Sequence, residues 1–220
     1  MVKRGVIRMS AMPKDTGKKD RIIKAAMDVF AREGLQKGTV DKIAQQAGVA
    51  KGTVYEYFPS KEAIFEGVLY NFFINVSQNM KEAIEQESDP VHRFDAMVDL
   101  MFDQWDYIIA HPDEYEWIIL YEILVYIFRK QREEKSNSLI EEMMNQIFTL
   151  YQPFFDVIPG QKEDTLADFQ MKSYLLFSAL DGITNYYFLL HKQYDSQIMR
   201  KITKDFLKRG LGITRTPVEE

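Results

Sequence analysis

The sequence predicts an all-α fold of about nine helices. Apolar residues recur every three or four positions through nearly every segment, and no stretch alternates as a half-buried strand would. Only 11 glycines and 7 prolines punctuate 220 residues, most of them between periodic stretches. A chain of this length buries a substantial core without covalent staples, and it has to, because it holds no cysteine.

Each element can be justified in order. Residues 1–17 lack periodicity and are expected to form a flexible basic arm, with Lys3, Arg4, Arg8 and Lys14 against Asp15. Such an arm can follow phosphates or enter a minor groove. The other reading is a disordered leader, with Met9 or Met12 as the true start. From Lys18 to Glu33 the apolar positions Ile22, Ile23, Ala26, Val29 and Phe30 form a helical stripe that Gly34 ends. Thr39 suits the N-cap of a short helix with Val40, Ile43, Ala44 and Ala47 on one face, and Gly48 permits a positive-φ turn after it. A second short helix spans about Ala50 to Tyr57, with Pro59 beyond its end.

Ser60 caps a long helix to about Glu87, whose rows Ile64, Val68, Phe72, Val76, Met80 and Phe65, Leu69, Phe73 step by four. Ser88-Asp89-Pro90 opens the next helix and His111-Pro112 closes it. An aromatic helix is expected over 113–129, a charged break at RKQREEKSNS, a helix near 137–156, a loop at Ile158-Pro159-Gly160, and final helices over 164–191 and 195–209.

The net charge of −5 does not by itself nominate a nucleic-acid binder, but it is an average over two unlike parts. Residues 1–64 carry 13 Lys/Arg against 7 Asp/Glu, and residues 65–220 carry 15 against 26. A basic head on an acidic body points the first segment at a polyanion. The longest apolar run, Trp117 to Phe128, is interrupted by Glu122 and is far short of the roughly 20 residues that cross a bilayer. No export signal is apparent, so a cytoplasmic protein without membrane partners is expected.

Two short helices joined by a glycine turn and packed on a preceding helix are the layout of a helix-turn-helix DNA reader. In Ala50-Lys-Gly-Thr-Val-Tyr-Glu-Tyr-Phe58, Val54 and Phe58 can pack inward. That leaves Lys51, Gly52, Thr53, Tyr55 and Tyr57 at the outer side and N-terminal end, where base edges are met. Here the sequence closely resembles the TetR family of bacterial ligand-responsive transcriptional regulators. The resemblance rests on Ile22 to Ala26 with Phe30 and Gly34, on Thr39-Val-Asp-Lys-Ile-Ala-Gln-Gln-Ala-Gly-Val49, and above all on Lys51-Gly-Thr-Val-Tyr-Glu-Tyr-Phe-Pro-Ser-Lys-Glu62.

The resemblance implies a helix-turn-helix DNA-binding domain over 18–64 and a helical ligand-binding and dimerisation domain over 65–220. It implies that Gly52 lets backbone approach DNA, that Thr39, Thr53, Tyr55 and Lys61 meet phosphate, and that Lys51 and Tyr57 read bases, Lys51 through guanine acceptors. Asp41 and Glu56, acidic near this face, must point away or position a basic neighbour.

A single head makes few contacts, and two-fold pairing supplies two half-sites. The resemblance implies that the last two long helices pair as a four-helix bundle. Phe169, Leu176, Leu180, Ile183, Tyr187 and Leu190 form one candidate seam, and Ile198, Ile202 and Phe206 a second stripe. Both stripes can equally face the internal core, since Tyr174, Leu175, Tyr186 and Phe188 put apolar material on other faces.

Residues 89–156 are rich in aromatics and methionine, which suit an adaptable apolar pocket. Met97, Met101, Trp105, Trp117, Tyr121 and Tyr126 are candidates, together with Glu122, which can instead lie on an exposed stripe. No cofactor or metal is expected. His92, His111 and His191 have no metal-ligand spacing, and neither a phosphate loop nor a nucleophile elbow occurs.

The expected function is a homodimeric repressor, released from a palindromic double-stranded operator by a small, largely apolar effector. The alternatives are an activator or ligand-independent regulator on the same fold and, more remotely, an interaction module or an enzyme.

Overall fold

The computed structural model describes residues 17–111, 116–134, 141–146, 149 and 166–213. Its helices are α1 (Lys18–Lys37), α2 (Val40–Ala47), α3 (Lys51–Tyr57), α4 (Lys61–Glu85), α5 (Pro90–Ala110), α6 (Glu116–Glu134), α7 (Leu166–Leu190) and α8 (Ser196–Leu211). Residues 141–146 are also helical, and no strand occurs among the described residues. The chain is all-α, as its periodicity requires. Most of the N-terminal arm, the Ile158–Gly160 loop and much of the expected 137–156 helix lie outside the described residues.

Starts and stops follow local chemistry. Thr39 Oγ1 accepts from the Lys42 amide at 3.4 Å and caps α2. Ser60 Oγ accepts from Ala63 N at 3.1 Å ahead of α4. Asp89 caps α5 by accepting from Val91 N and His92 N at 2.7 and 3.0 Å, and Asp195 caps α8 by accepting from Ile198 N at 3.0 Å. Gly48 takes the left-handed conformation (φ 65°, ψ 39°) that closes α2.

Regular α1 geometry breaks at Gly34 (φ 77°), after which the chain winds one more turn to Lys37. The expected break begins later than its first residue: α6 runs through Arg129 to Glu134, and the rest of the charged run lies outside the described residues. Arg, Lys, Gln and Glu are good helix formers, so the charge at Arg129 does not end the helix.

The chain divides into two compact units. Among the described residues, the head takes 17–76 with 116–134 and 141–143, and the body takes 77–111 with 144–146, 149 and 166–213. The division falls within α4, so one continuous helix belongs to both.

In the head, Ile22, Ala26 and Phe30 of α1 meet Ile43 of α2, Val54 of α3, Ile64 and Val68 of α4, and Ile123 and Ile127 of α6 in one buried cluster. Its rings interlock edge to face: Phe30 on Phe65 at 5.0 Å, Phe65 on Tyr126 at 5.2 Å, and Phe72 on Trp117 at 4.9 Å between centroids. Gly67 makes room for α3. A Cβ there would stand 2.5 Å from the Phe58 ring, so the absent side chain is the seat of that ring.

In the body, α5 is buried on more than one face, with Phe94, Met97, Val98 and Phe102 fully enclosed. One face carries a ladder of carboxylates spaced four apart, met by cations spaced four apart on α8. Lys208 pairs with Asp95 at 2.8 Å, Lys204 with Asp99 at 2.5 Å and Arg200 with Asp103 at 2.6 Å. The order Asp95, Asp99, Asp103 against Lys208, Lys204, Arg200 makes the two helices antiparallel.

Arg200 also binds Asp106 and donates to the Asp99 carbonyl at 2.9 Å, while its guanidinium lies 5.5 Å from the Phe102 ring centroid. Ser196 donates to Asp106 at 2.7 Å, and Tyr187 donates to it as well. Burial, which alone favours the neutral form, is outweighed at Arg200 by its hydrogen bond to Asp106 and by Asp103, so its pKa lies above the ordinary value.

Candidate nucleic-acid interface

The head presents α3 with its apolar side anchored. Val54 is fully buried and Phe58 nearly so, while Lys51, Gly52, Tyr55 and Tyr57 are exposed and Thr53 is half-buried. Two buried residues four apart fix the rotation of a helix of only seven residues, so which side chains face outward is settled by packing. Tyr55 and Tyr57 remain 45% and 43% exposed although both carry large rings. A Cβ built on Gly52 meets nothing within 4 Å. Gly52 also has ordinary helical φ, so neither strain nor packing asks for glycine at this position. Space for an approaching molecule does.

Lys51 is the first residue of α3, and its Nζ is 2.8 Å from Asp41 Oδ2 on α2. The hydrogen bond to Asp41 raises the ammonium pKa above its ordinary value. Asp41 therefore positions the basic neighbour, one of the two roles open to it from sequence. Thr39 is exposed, with its hydroxyl oxygen already serving the start of α2 and its O–H free to donate outward.

The other cations around this face are tied to α1. Lys42 pairs with Glu33 at 2.6 Å, and Arg32 donates to Gln46 at 3.3 Å. Lys61 is folded back onto α1 in this structure. Its Nζ donates to the Gln36 carbonyl at 3.3 Å and lies about 6 Å from the Phe30 and Phe65 ring centroids. A long flexible stem lets the charge fold back to the frayed end of α1, where unpaired carbonyls attract it, so Lys61 braces α4 against α1.

The expected pocket residues are divided between the units. Met97 and Trp105 are buried and Met101 half-buried in α5 of the body. Trp117 and Tyr126 are rings of the head core, against Phe72 and Phe65. Tyr121 and Glu122 are exposed on α6. Glu122 thus occupies the exposed stripe of its helix, while Trp117 and Tyr126, expected to line the pocket, pack against rings of the head core.

The expected seam is likewise split. On α7, Leu176, Leu180 and Tyr187 are buried within the body, Tyr187 against Phe102 at 5.2 Å, and Ile183 is half-buried. The Phe169 side chain lies outside the described residues. The solvent-facing apolar row of α7 is a different one: Met171, Leu175, Tyr186 and Leu189, each 57–69% exposed, with Tyr174 beside them. Between them stand Ser178 and Gly182, and a Cβ on Gly182 meets nothing within 4 Å. On α8, Ile198, Ile202 and Phe206 are 58–68% exposed, opposite the cations of the ladder.

Residues 22–68 match the family described as bacterial regulatory proteins, tetR family. Over 91% of the chain and 99% of the relative, the sequence is 24% identical to YvdT, an HTH-type transcriptional regulator of Bacillus subtilis. Over 43% of each chain it is 33% identical to the HTH-type transcriptional repressor NicS of Pseudomonas putida. The fold is similar to that of the transcriptional regulator FadR from Bacillus subtilis, solved in complex with stearoyl-CoA. That likeness has a TM-score of 0.54 at 20% identity and covers 86% of this chain and 96% of that one. A family match that runs from α1 through α2 and α3 into α4, a third helix with an open outer face and relatives that are transcriptional regulators agree: residues 22–68 are a helix-turn-helix domain of the tetR family.

Proposed function

We propose that the protein is a homodimeric repressor that holds a palindromic operator and is released by a small, largely apolar effector. The observation that carries the DNA reading is the outer face of α3, where Lys51, Gly52, Tyr55 and Tyr57 are exposed while Val54 and Phe58 lock the helix from behind. Lys51 and Tyr57 read base edges. Thr39, Thr53 and Tyr55 fix the register on phosphates, and the bare Gly52 lets the α3 backbone sit close.

The exposed rows of α7 and α8 support pairing with a second copy. Large apolar side chains rarely gather this densely on a soluble surface without a partner, and Ser178 and Gly182 leave room for a facing helix. Repression in NicS and the stearoyl-CoA held by FadR support the repressor and effector parts of the reading. Because α4 belongs to both units, a ligand that prefers one arrangement of the body biases the head through a continuous helix. It does so only by its differential affinity, typically about 1–3 kcal/mol.

A gel shift with duplex from the protein's own upstream region, at fixed salt, tests the interface. Gly52→Ala should weaken the specific complex about tenfold, and its melting temperature should hold or rise because alanine favours helix by up to about 1 kcal/mol. Lys51→Ala should lose about 1–3 kcal/mol of discrimination at one base pair. Two variants that shift operator DNA as the wild type does would remove α3 as the reading element.

A further inference from the structure

We infer that Gln104 is the polar anchor of the effector site, and that the site takes a molecule with an apolar body and one uncharged hydrogen-bonding group. The inference rests on the effector-sensing reading above and adds to it a residue and a ligand chemistry. Gln104 lies in α5 with only 7% of its surface exposed, yet neither its Oε1 nor its Nε2 has a hydrogen-bond partner. A buried amide in that condition lowers stability at both ends, and folded proteins satisfy nearly all such groups.

The surroundings define what completes it. Helix geometry puts Gln104 on one face with Met97, Leu100 and Ile108, all buried, and Met101 adjoins them. The aspartate ladder occupies the opposite face of α5, where its carboxylates meet Arg200, Lys204 and Lys208. The amide therefore stands on an apolar and thioether face of α5, away from that charge network. It offers one acceptor oxygen and two N–H donors and no net charge. An alcohol, a carboxamide or an ester carbonyl satisfies it, whereas an ionised carboxylate entering beside it leaves water against a face of α5 that supplies no countercharge. Methionine next to it tolerates variation in the apolar part of the ligand.

The test titrates the full chain with decanamide, decan-1-ol and decanoate at pH 8, read by calorimetry and tryptophan fluorescence. The wild type is compared with Gln104→Met, which keeps side-chain length and removes both polar atoms. The wild type should bind decanamide and decan-1-ol at least about tenfold more tightly than decanoate, and Gln104→Met should weaken decanamide about tenfold. Without ligand, Gln104→Met should melt no lower than the wild type.

Failure of the wild type to bind any probe, or Gln104→Met binding decanamide unchanged, overturns the inference. So does a ligand-free Gln104→Met that melts several degrees lower, because the amide then has a structural role. The operator gel shift separates the two readings. Probe binding with the stated preference but no release from operator sustains the site and removes the effector mechanism. Release by other molecules with Gln104→Met unaffected does the reverse.

Discussion

Phe206→Asp is expected to convert the protein to a monomer at micromolar concentration and to weaken operator binding by about a hundredfold or more. Phe206 is 68% exposed on α8 and lies in line with Ile202 and Ile198, one and two turns back. Its side chain contributes little to the core of its own body unit, so the substitution should leave the helical circular dichroism and monomer stability nearly intact. The expected loss arises from the partner. In the proposed homodimer, a carboxylate on this apolar face must be stripped of water when two copies meet.

Once the dimer separates, the second half-site is no longer presented at an effective concentration in the millimolar range, and avidity of about 10²–10⁴ is forfeited. Light scattering reads the mass and a gel shift reads the affinity. A variant that stays dimeric would move the seam away from α8. Leu176→Asp is the matched control, because Leu176 is buried inside the body and its replacement should unfold the unit before it affects pairing.

Arg200→Met should cost about 3–5 kcal/mol of stability, the range found when one partner of a buried ion pair is removed. The guanidinium is 7% exposed and engages Asp103, Asp106 and the Asp99 carbonyl at once. Methionine refills much of the volume over Phe102 but leaves Asp103 and Asp106 facing each other with one cation fewer. Adding Asp103→Asn and Asp106→Asn to Arg200→Met should recover a large part of the loss. That double-mutant logic separates charge imbalance from packing.

Because the folded protein holds the Arg200 pKa above its ordinary value, the arginine's contribution is fully present below that value. It is lost only as pH rises through the elevated one, so the arginine adds no slope to stability across neutral pH. Urea denaturation of the two variants measures the difference. A loss under 1 kcal/mol for Arg200→Met would mean that the ladder is solvated and nearly neutral in energy.

What could be read from the chain alone divides along the range of the forces involved. Thr39, Gly48, Asp89 and Asp195 act on backbone groups within four residues of themselves, and the helix ends they imply are where they should be. The outer face of α3 was equally legible, because Val54 and Phe58 are spaced to be buried together. Facing choices that depend on distant packing were not. On α7, Leu176, Leu180 and Tyr187 form a stripe as regular as Met171, Leu175, Tyr186 and Leu189, and periodicity cannot say which stripe meets the body's own core. Tryptophan and tyrosine on α6 suit a pocket lining and a core equally, and only the Phe65 and Phe72 rings decide for the core. Gln104 gave no signal at all, since one glutamine in an amphipathic helix reads as solvated until its burial is known.

If Lys51 meets DNA as proposed, its 2.8 Å pair with Asp41 sets an electrostatic threshold for that contact. An ammonium that already holds a carboxylate must give up that partner before it can displace a counterion condensed on a phosphate. Lys51 can therefore return up to about 0.9 less to the slope of log affinity against log salt than an open lysine would. Leaving Asp41 also exposes a bare carboxylate to the polyanion, a penalty that a lone phosphate repays poorly and the paired acceptors of guanine repay better. Random sequence is thus disfavoured by a device that never touches it. Asp41→Asn should raise affinity for random duplex and steepen the salt slope by about one, and unchanged slopes would mean that the pair dissolves in solution. The acidic residue beside the reading helix then acts as a resident competitor for its key cation.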